Sequence, residues 1–534
     1  MSRPLTERHL QLRDWQIEAR RATREKFNAE KNFLCVATPG AGKTKFALCI
    51  VHELMKEKLI DRVVVVTPSD NLKRQWAAEA AAFAGLDIDP DFVNAHGIET
   101  ADFHGIAITY ALLGQDKKGV HLQNTFNRRT FVIFDEIHHA GESLTWGDAI
   151  KKSFENAVFR LSLSGTPFRS DDAVIPFITY ENGISKADYT YSYERAIKEN
   201  VCRPVYFTIH DGRMKWKVHE TEFEHGFKDS LQKDQVSKRL KTALDSKGNF
   251  VRDVMKSANE KLSEIRTHHS DAAGLIFAAT QQHAKEIAHV VQEITGELPP
   301  IVISEDADGS EKIQQFKNAT LRWLVSVKMV SEGIDIPRLR VGVYFTIVKA
   351  ELFFRQAIGR FVRVLSHLQA QDAFIFIPQD RDIVHLAESI QEERDHALDE
   401  AERAKNNGGG DTDLFGDEYT PALRGNFVPL ASESTTHKTI AVNVEISSGA
   451  RHGIDHRKIE DENPVYIQKE ILRDRLNMLA KRYALKKRNG SNIKPDFKLA
   501  HKIWIEKGGK NMDIETIDEL KRREQFYINL LRSN

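Results

Sequence analysis

The residues that most clearly point to chemistry form a glycine-rich segment, Ala37–Thr44, which reads ATPGAGKT. An apolar run, Phe33–Val36, precedes it and a helix-like run follows it, and this strand–turn–helix order is typical of a phosphate-binding loop. In such a loop the N–H groups of the turn and of the helix N-terminus point at phosphate oxygens. The segment therefore predicts a nucleotide site whose members are Thr38, Gly40, Ala41, Gly42, Lys43 and Thr44.

Two side chains of this segment have defined roles in phosphate-binding loops. Lys43 would reach the β- and γ-phosphates, and the hydroxyl of Thr44 would bind Mg²⁺. A match of eight residues can arise by chance, so the segment alone indicates phosphate binding and leaves its purpose open. The purpose of phosphate binding must be inferred from the residues that follow the segment along the chain.

A pair of carboxylates follows the apolar run Phe131–Phe134, in the order Asp135-Glu136-Ile137-His138. The carboxyl ends of parallel strands meet at the edge of the sheet where a phosphate-binding loop also lies. There Asp135 could hold Mg²⁺, directly or through water, and Glu136 could orient the water that attacks the γ-phosphate. The alternative is a solvated acidic loop. The preceding strand and the distance along the chain from the segment Ala37–Thr44 disfavour this alternative.

Two arginines lie far downstream, in the segment Gln356–Arg363, which reads QAIGRFVR. Arg360 and Arg363 are three residues apart, a spacing that predicts one helical face. An arginine supplied across an interface can neutralise charge on a transferring phosphoryl group and raise the rate by roughly 10³–10⁵-fold. Taken alone, these residues would be better explained by an exposed surface helix.

The strands that must position these residues are predicted by short apolar runs that alternate with helical patterns. Such alternation is typical of parallel sheets covered by helices, so we expect two α/β domains in tandem. In the charged stretch 198–262 between them we expect a connecting strand and a helical insertion. The first set of strands is predicted at Phe33–Val36, Arg62–Thr67, Ile106–Thr109, Phe131–Phe134 and Arg160–Ser164. The second set is predicted at Gly274–Ala278, Ile301–Ser304, Arg322–Val327, Val341–Phe345 and Ala373–Ile377.

The composition changes after the second set of strands. Residues 388–405 are charged and helix-like, and residues 406–413 read NNGGGDTD, which favours a flexible linker. The expected segments are a first α/β domain at 1–197, a connecting segment with the second α/β domain at 198–382, an acidic helix with a linker at 383–437, and a smaller, basic, mainly helical domain at 438–534.

The C-terminal segment is basic, since residues 465–510 contain 13 Lys or Arg and 4 Asp or Glu. This charge could neutralise nucleic-acid phosphates, or it could be the ordinary solvated face of a helical domain, and the sequence favours neither. Thr516 and Glu519 fit a capping box that opens a last helix. The residues at helical spacing that predict an earlier helix are Leu472, Leu476, Leu479 and Tyr483.

Composition also limits the class of protein. The 534 residues suffice for several domains, and 77 Lys and Arg balance 77 Asp and Glu, so a nucleic-acid surface must be local. Three scattered cysteines are too few for a zinc site or a disulfide framework. No apolar run approaches the roughly 20 residues of a membrane span, and the charged N-terminus lacks the apolar core of a signal peptide. We therefore expect a cytoplasmic protein with no membrane partner.

Together the motifs resemble those of superfamily 2 helicases and translocases, in the DExH-type branch that includes the type III restriction Res subunits. The resemblance covers about residues 10–380. Ala37 fits this class, because alanine is common at that place of its phosphate-binding loop. The further segments that resemble family motifs are Leu12–Gln16, Thr67-Pro68-Ser69 with Leu72 and Gln75-Trp76, Thr109-Tyr110, Phe277–Thr280, Ser331–Pro337 and Gln356–Arg363.

The resemblance implies roles for residues in each of these segments. Gln16 would read adenine. Gln356, Arg360 and Arg363 would face the γ-phosphate, and Gly333 and Asp335 would lie near the nucleotide, with Asp335 close to the ribose. Ser164 and Thr166, small hydroxyl residues after a strand, could link the acidic motif to the neighbouring domain by hydrogen bonds, although such a turn taken alone is usually only a turn. His138 would couple the nucleotide to the segment Gln356–Arg363. The residues that would contact nucleic acid are Thr67, Pro68, Thr109 and Thr280.

The function that the resemblance implies is an ATP-dependent helicase or translocase with two RecA-like lobes, with ATP and Mg²⁺ as cofactors. His138 stands where the RNA-specific DEAD-box group has aspartate, which argues against that group, and DNA is favoured over RNA. Val327 stands where that group usually has threonine, so one nucleic-acid contact of the family is not assigned there. An RNA helicase is one alternative. Another is a subunit of a restriction, phage-defence or repair complex that moves on duplex without unwinding it. We expect a monomer with possible protein partners of such a system.

Overall fold

The computed structural model describes the chain in two compact units. The first comprises Met1–Val36, Gly42–Thr190 and Gly453–Asn534, and the second comprises Ala37–Ala41 and Tyr191–His452. Within the residues described, no helix is both long enough and apolar enough to cross a membrane. The residues described are 10–141, 144–166, 168, 174–181, 183–303, 309–327, 336–365, 368, 371–404, 427–439, 463–488 and 498–532.

The N-terminal part of the chain alternates strands with helices. Short turns of other helix types lie at Ala80–Ala84, Asn94–His96 and Ile137–Gly141. The elements are α1 (Asp14–Lys26), β1 (Asn32–Ala37), α2 (Lys43–Lys56), β2 (Arg62–Thr67), α3 (Asp70–Glu79), β3 (Ile88–Asp89), β4 (Gly105–Thr109), α4 (Tyr110–Gly114), α5 (Val120–Asn127), β5 (Thr130–Phe134), α6 (Leu144–Phe154), β6 (Phe159–Ser164), β7 (Tyr180–Glu181), β8 (Ile184–Ser185) and β9 (Tyr189–Tyr191).

Seven of these strands form one sheet in the order β3-β4-β2-β5-β6-β1-β9. The central neighbours, from β4 to β1, are all parallel. Every residue of β2, which reads RVVVVT, is buried, as expected for a parallel strand covered by helices on both faces. The five strands predicted from apolar runs correspond to β1, β2, β4, β5 and β6, so the first α/β domain is confirmed as a fold.

The second unit repeats this architecture around another sheet. Its strand order is β11-β10-β16-β15-β12-β14-β13, with β17 also paired to β10, and β10, β16, β15, β12, β14 and β13 are parallel to their neighbours in that order. The elements are α7 (Tyr193–Lys198), β10 (Val205–Val218), β11 (Thr221–Gly226), α8 (Lys233–Ala243), α9 (Asn249–Arg266), β12 (Ala273–Ala278), α10 (Gln281–Thr295), β13 (Ile301–Ile303), α11 (Gly309–Asn318), β14 (Trp323–Val327), β15 (Leu339–Phe345), α12 (Glu351–Ile358), β16 (Ala373–Pro378), α13 (Arg381–Ala404) and β17 (Phe427–Thr439).

The five apolar runs of the second set again become strands, and the predicted connecting strand and helical insertion are β10, α8 and α9. β10 is longer than a connection requires. Its residues Val205–His210 pair parallel with β16, and Arg213–Val218 pair antiparallel with β11. Residues Thr208–Val218 pair antiparallel with β17. β17 lies in the stretch for which the sequence suggested only a linker, so a strand was missed there.

The last helices are α14 (Val465–Arg488), α15 (Leu499–Glu506) and α16 (Ile517–Arg532), and they belong to the first unit. The predicted capping box is confirmed, since Thr516 N–H donates to Glu519 at 2.8 Å and Glu519 N–H donates to the Thr516 hydroxyl at 3.3 Å. The buried Lys469 side chain joins these helices to the loop before β4 through the Asp102 carboxylate at 3.1 Å. Their own core contains Leu472, Leu476, Ala480, Tyr483, Ala500, Leu520 and Tyr527.

Candidate active site

The predicted phosphate-binding segment lies between β1 and α2. Gly40 and Gly42 have φ angles of +82° and +96°, left-handed conformations that glycine adopts without steric cost. Gly42 directly precedes α2, so the turn leads into a helix N-terminus whose first N–H groups lack partners within the helix. Thr38 and Ala41 are buried beside the glycines. A strand, a glycine turn and a helix start form a cradle suited to phosphate oxygens.

Gln16 is fixed to this cradle from α1. Its side-chain amide donates to the carbonyl of Gly42 at 2.8 Å, and its amide oxygen accepts from the backbone N–H of Arg13 at 2.8 Å. A Cβ atom at Gly42 would lie 3.0 Å from the Gln16 amide nitrogen, which is a second reason for glycine at that place. Gln16 thus contacts the segment that is predicted to bind phosphate, and its reading of adenine stays a prediction.

Lys43 and Glu136 are the central pair of the site. The Lys43 ammonium is 2.8 Å from a Glu136 carboxylate oxygen, and the two side chains are 12% and 18% exposed. The other Glu136 oxygen accepts from the N–H of Gly165 at 3.0 Å. Glu136 has a φ of +46°, a conformation that costs a non-glycine residue on the order of 1–3 kcal/mol and that occurs often at functional sites. Two contacts therefore hold a strained carboxylate against the loop lysine.

The two neighbouring carboxylates have opposite electrostatic environments. Burial raises the pKa of Glu136, but the charge of Lys43 and that of His138 outweigh burial and lower the pKa to about 2. Burial, together with the negative charge of Glu136, raises the pKa of Asp135 to about 6. Glu136 is therefore ionised at any physiological pH, whereas Asp135 is a carboxylate to which a cation would bind favourably.

Asp135 is held from two elements. The indole N–H of Trp76, on α3, donates to its Oδ2 at 2.7 Å, and the hydroxyl of Tyr110, on α4, donates to its backbone carbonyl at 3.0 Å. Thr44, the other predicted Mg²⁺ ligand, lies in the first turn of α2. The sequence motifs contained Trp76 and Tyr110 but assigned neither a role toward Asp135, because contacts between separate elements have no signature in spacing.

The donor set suits Mg²⁺. Asp135 and Thr44 offer only oxygen atoms, and Mg²⁺ is bound in phosphate-transfer sites by one or two protein oxygens together with waters and substrate phosphates. Within the part of the chain that the structure describes, no group of three or more His, Cys, Asp or Glu could form a metal cage made of protein side chains alone. A site completed by phosphate therefore fits these residues better than an all-protein metal centre.

The predicted coupling residues converge next to the carboxylates. A ring nitrogen of His138 lies 3.1 Å from the Ser164 hydroxyl, which donates to the carbonyl of Thr166 at 2.7 Å. His138 Nδ1 is also 3.7 Å from Glu136. All three residues are buried, and their coupling role stays a prediction.

The predicted nucleic-acid contacts lie at the carboxyl ends of strands. Thr67 and Thr109 are the last residues of β2 and β4 and are paired in register, and Pro68 follows Thr67. Thr109 caps α4 by accepting from the N–H of Leu112, and Thr280 caps α10 in the second unit in the same way. Helix capping alone accounts for these two threonines, so contact with a strand stays a prediction.

Gln356, Arg360 and Arg363 belong to the second unit. Gln356 is buried on α12. The expectation that both arginines share a helical face is wrong, because α12 ends at Ile358 and Arg363 forms an isolated antiparallel bridge with Cys202. Gly359 follows the helix with a right-handed φ of −56°, and a Cβ atom there would lie 2.5 Å from the Cβ of Pro39. Gly333 and Asp335 lie outside the described residues.

Family models match both parts of the chain that carry these residues. The model of the type III restriction enzyme res subunit matches residues 9–169, and that of the helicase conserved C-terminal domain matches residues 257–365. The fragment structure of an HsdR subunit of a type I restriction enzyme from Vibrio vulnificus is similar with a TM-score of 0.50. It has 16% sequence identity and covers 71% of this chain and 66% of that one, a likeness that shows the fold alone.

Proteins of similar sequence align with more of the chain than the two family models do. An uncharacterized protein of Mycobacterium tuberculosis is 42% identical over 394 residues, which are 72% of this chain and 64% of that protein. This chain thus spans less than two thirds of that relative's length. A DNA 3'-5' translocase of Sulfurisphaera tokodaii is 26% identical over 385 residues, which are 67% of this chain and 80% of that protein.

Proposed function

Since this chain belongs to the superfamily 2 helicases of the type III restriction Res-subunit-like kind, we propose that it hydrolyses ATP with Mg²⁺ and thereby moves along or unwinds DNA. The observation that carries this proposal is the 2.8 Å contact between Lys43 of the phosphate-binding segment and Glu136 at the end of β5. It supports the proposal because Lys43, the proposed phosphate-binding cation, and Glu136, the proposed base, lie together at one edge of one sheet.

ATP binding is assigned to the cradle between β1 and α2. The phosphates would be bound by the N–H groups of the turn and by Lys43, which would leave Glu136 for the β- and γ-phosphates. Gln16 would read the adenine from its place beside Gly42. The proposed nucleotide-binding residues of the first unit are Gln16, Thr38, Gly40, Ala41, Gly42, Lys43 and Thr44.

Hydrolysis is assigned to the acidic pair. Once Lys43 turns to the phosphates, the freed carboxylate of Glu136 can accept a hydrogen bond from a water and orient it toward the γ-phosphorus. The charge of His138 and the hydrogen bond from the N–H of Gly165 still lower the pKa of Glu136 once Lys43 has moved. Mg²⁺, held by Thr44 and Asp135, would neutralise charge on the β- and γ-phosphates. His138, Ser164 and Thr166 would pass the resulting shift of Glu136 to the turn after β6.

The second unit would supply the remaining catalytic groups. We assign Gln356, Arg360 and Arg363 to the γ-phosphate, and Gly333 and Asp335 to the nucleotide near the ribose. In this scheme ATP bridges two lobes, and loss of the γ-phosphate releases them, so that each cycle opens and closes the pair. An arginine in this role is worth roughly 10³–10⁵ in rate.

Nucleic acid would be bound across the carboxyl ends of the strands, mainly through its phosphates. We assign this contact to Thr67, Pro68, Thr109 and Thr280. The DNA translocase relative and the restriction-type family model favour DNA as the substrate. The four segments 1–197, 198–382, 383–437 and 438–534 would then be two motor lobes, a linker and a basic accessory domain. The three cysteines are buried and form no disulfide with one another, and we assign the protein to a reducing cytoplasm.

A second candidate is a motor subunit that moves on duplex DNA without separating the strands. It is favoured by the match to the res subunit of restriction enzymes. Such a subunit would hydrolyse ATP in response to duplex DNA and would fail to displace a strand from a partial duplex. Strand-displacement assays therefore distinguish it from a helicase.

The experiment that tests the proposal measures ATP hydrolysis by the purified chain without nucleic acid, and with single-stranded DNA, duplex DNA or RNA. We expect Mg²⁺-dependent hydrolysis that DNA stimulates. Stimulation by RNA alone would replace the DNA proposal with an RNA helicase. No hydrolysis under any condition would refute the proposed function.

A further inference from the structure

Trp76 makes a contact for which the motifs offer no explanation. It lies on α3, its side chain is 1% exposed, and its indole N–H donates to Oδ2 of Asp135 at 2.7 Å. Tryptophan is a donor only and has no lone pair to offer a cation. It therefore touches the carboxylate without competing as a ligand.

This contact determines which way the carboxylate faces. Asp135 lies at the end of β5, and its backbone carbonyl is already held by the Tyr110 hydroxyl at 3.0 Å. The indole bond to Oδ2 and the bond to the backbone carbonyl restrict the orientation of the carboxylate, which also accepts from the backbone N–H of Glu136. Carboxylates that bind metals are commonly oriented in this way by hydrogen bonds from neighbouring residues.

We propose that Trp76 is a positioning residue that orients the Asp135 carboxylate for Mg²⁺, an inference that rests on the proposed function. Removing such an outer partner of a metal ligand typically lowers metal affinity about 10–100-fold. Trp76→Phe keeps a buried aromatic ring and removes only the N–H donor. We expect this variant to need about 10–100-fold more Mg²⁺ for half-maximal Mg²⁺-dependent nucleotide binding.

The test measures binding rather than turnover. Nucleotide binding is followed by calorimetry at increasing Mg²⁺ in a Glu136→Gln background, where hydrolysis is blocked. Nucleotide binding in excess EDTA should be the same with and without Trp76→Phe, because the indole acts only through the carboxylate. In an Asp135→Asn background, Trp76→Phe should cause no further loss of Mg²⁺ dependence.

A matched control is available elsewhere in the chain. The indole N–H of Trp504 donates to a Glu515 carboxylate oxygen at 2.6 Å in the C-terminal helices. Trp504→Phe removes the same kind of bond away from the candidate site and should leave the Mg²⁺ requirement unchanged. An equal increase in the Mg²⁺ requirement of Trp76→Phe and Trp504→Phe would overturn the inference. An unchanged Mg²⁺ requirement in Trp76→Phe would overturn it too.

Failure of the inference and failure of the proposed function give different results. If the parent protein shows no Mg²⁺-dependent nucleotide binding, the proposed function fails. If the parent shows Mg²⁺-dependent nucleotide binding and Trp76→Phe matches the parent, only the role of Trp76 fails.

Should Trp76→Phe not fold, 5-fluorotryptophan labelling provides a second measurement. The chain has six tryptophans, so five single Trp→Phe variants at the other positions assign the resonance of Trp76 by elimination. Its fluorine resonance should shift when Mg²⁺ is added to ADP-bound protein, and an unmoved resonance would overturn the inference.

Discussion

Glu136→Gln is the substitution that best separates nucleotide binding from hydrolysis. Glutamine has the same shape and can still accept from the N–H of Gly165, but it loses the charge that holds Lys43 at 2.8 Å. Because the Lys43 charge helps to keep the pKa of Glu136 at about 2, the comparison is between a charged and a neutral side chain across the whole range of assay pH.

The size of the effect on ATP affinity follows from that contact. A hydrogen bond to a charged group contributes about 1.5–3 kcal/mol, and Lys43 must give this contact up before it can reach the phosphates. Since the two side chains are 12% and 18% exposed, some screening by solvent remains, and the lower value is appropriate. About 1.5 kcal/mol corresponds to roughly a tenfold change in affinity. Glu136→Gln should therefore bind MgATP roughly tenfold more tightly, while turnover falls by about 10²–10⁴-fold as an oriented base is lost.

The assays are equilibrium binding of MgATP and steady-state phosphate release on the same preparation. Glu99→Gln is the matched control, since Glu99 is a buried carboxylate paired with Arg62 at 2.9 Å. That control should lower the unfolding temperature without changing ATP affinity or turnover. Near-normal turnover in Glu136→Gln would remove Glu136 from the hydrolysis step, and weaker ATP binding would refute the competition between Glu136 and the phosphates for Lys43.

Three further changes probe other parts of the account. Lys43→Ala should abolish hydrolysis and weaken nucleotide binding in a direct binding assay, and intact nucleotide affinity would contradict the role of the cradle. Arg363→Ala should leave ATP affinity largely intact and lower kcat by roughly 10³-fold or more, so an unchanged kcat would remove it from the γ-phosphate. Replacing the exposed Lys481 and Arg482 with serine should weaken DNA binding, whatever the DNA sequence. In titrations at several salt concentrations, the slope of log affinity against log salt should fall by about one for each phosphate that is no longer neutralised. An unchanged salt dependence would identify that face of α14 as an ordinary solvated surface.

Much of the fold was predictable because its signals are local. The run Arg62–Thr67 has a continuous apolar centre, Val63–Val66, as expected for a strand buried on both faces, and the structure places a strand at each predicted run. The capping box of Thr516 and Glu519 was predictable for the same reason, since its two hydrogen bonds span only three residues.

What the sequence did not reveal depends on contacts between distant residues. β17 carries Pro429 and a polar second half, so it lacks an apolar run, and it exists as a strand because β10 offers it an edge. The buried contact of Lys469 with Asp102 joins the C-terminal helices to the first unit, and neither residue stands out in its own segment. The helical face expected for Arg360 and Arg363 failed because spacing alone cannot place the end of a helix.

Some features of the candidate site could be predicted from local sequence, and others depend on contacts between distant residues. The cradle, the acidic pair and the coupling hydroxyl were recognisable from residue types and their order after strands. The strained backbone of Glu136 and the indole bond to Asp135 were not, because they arise from how α3 and the turn after β6 meet the end of β5.

Coupling of ATP hydrolysis to DNA in this chain is tested by the rate of phosphate release with and without DNA. We expect Mg²⁺-dependent hydrolysis that rises when DNA is added and disappears in Lys43→Ala. Hydrolysis that no nucleic acid stimulates, or that survives in Lys43→Ala, would contradict it.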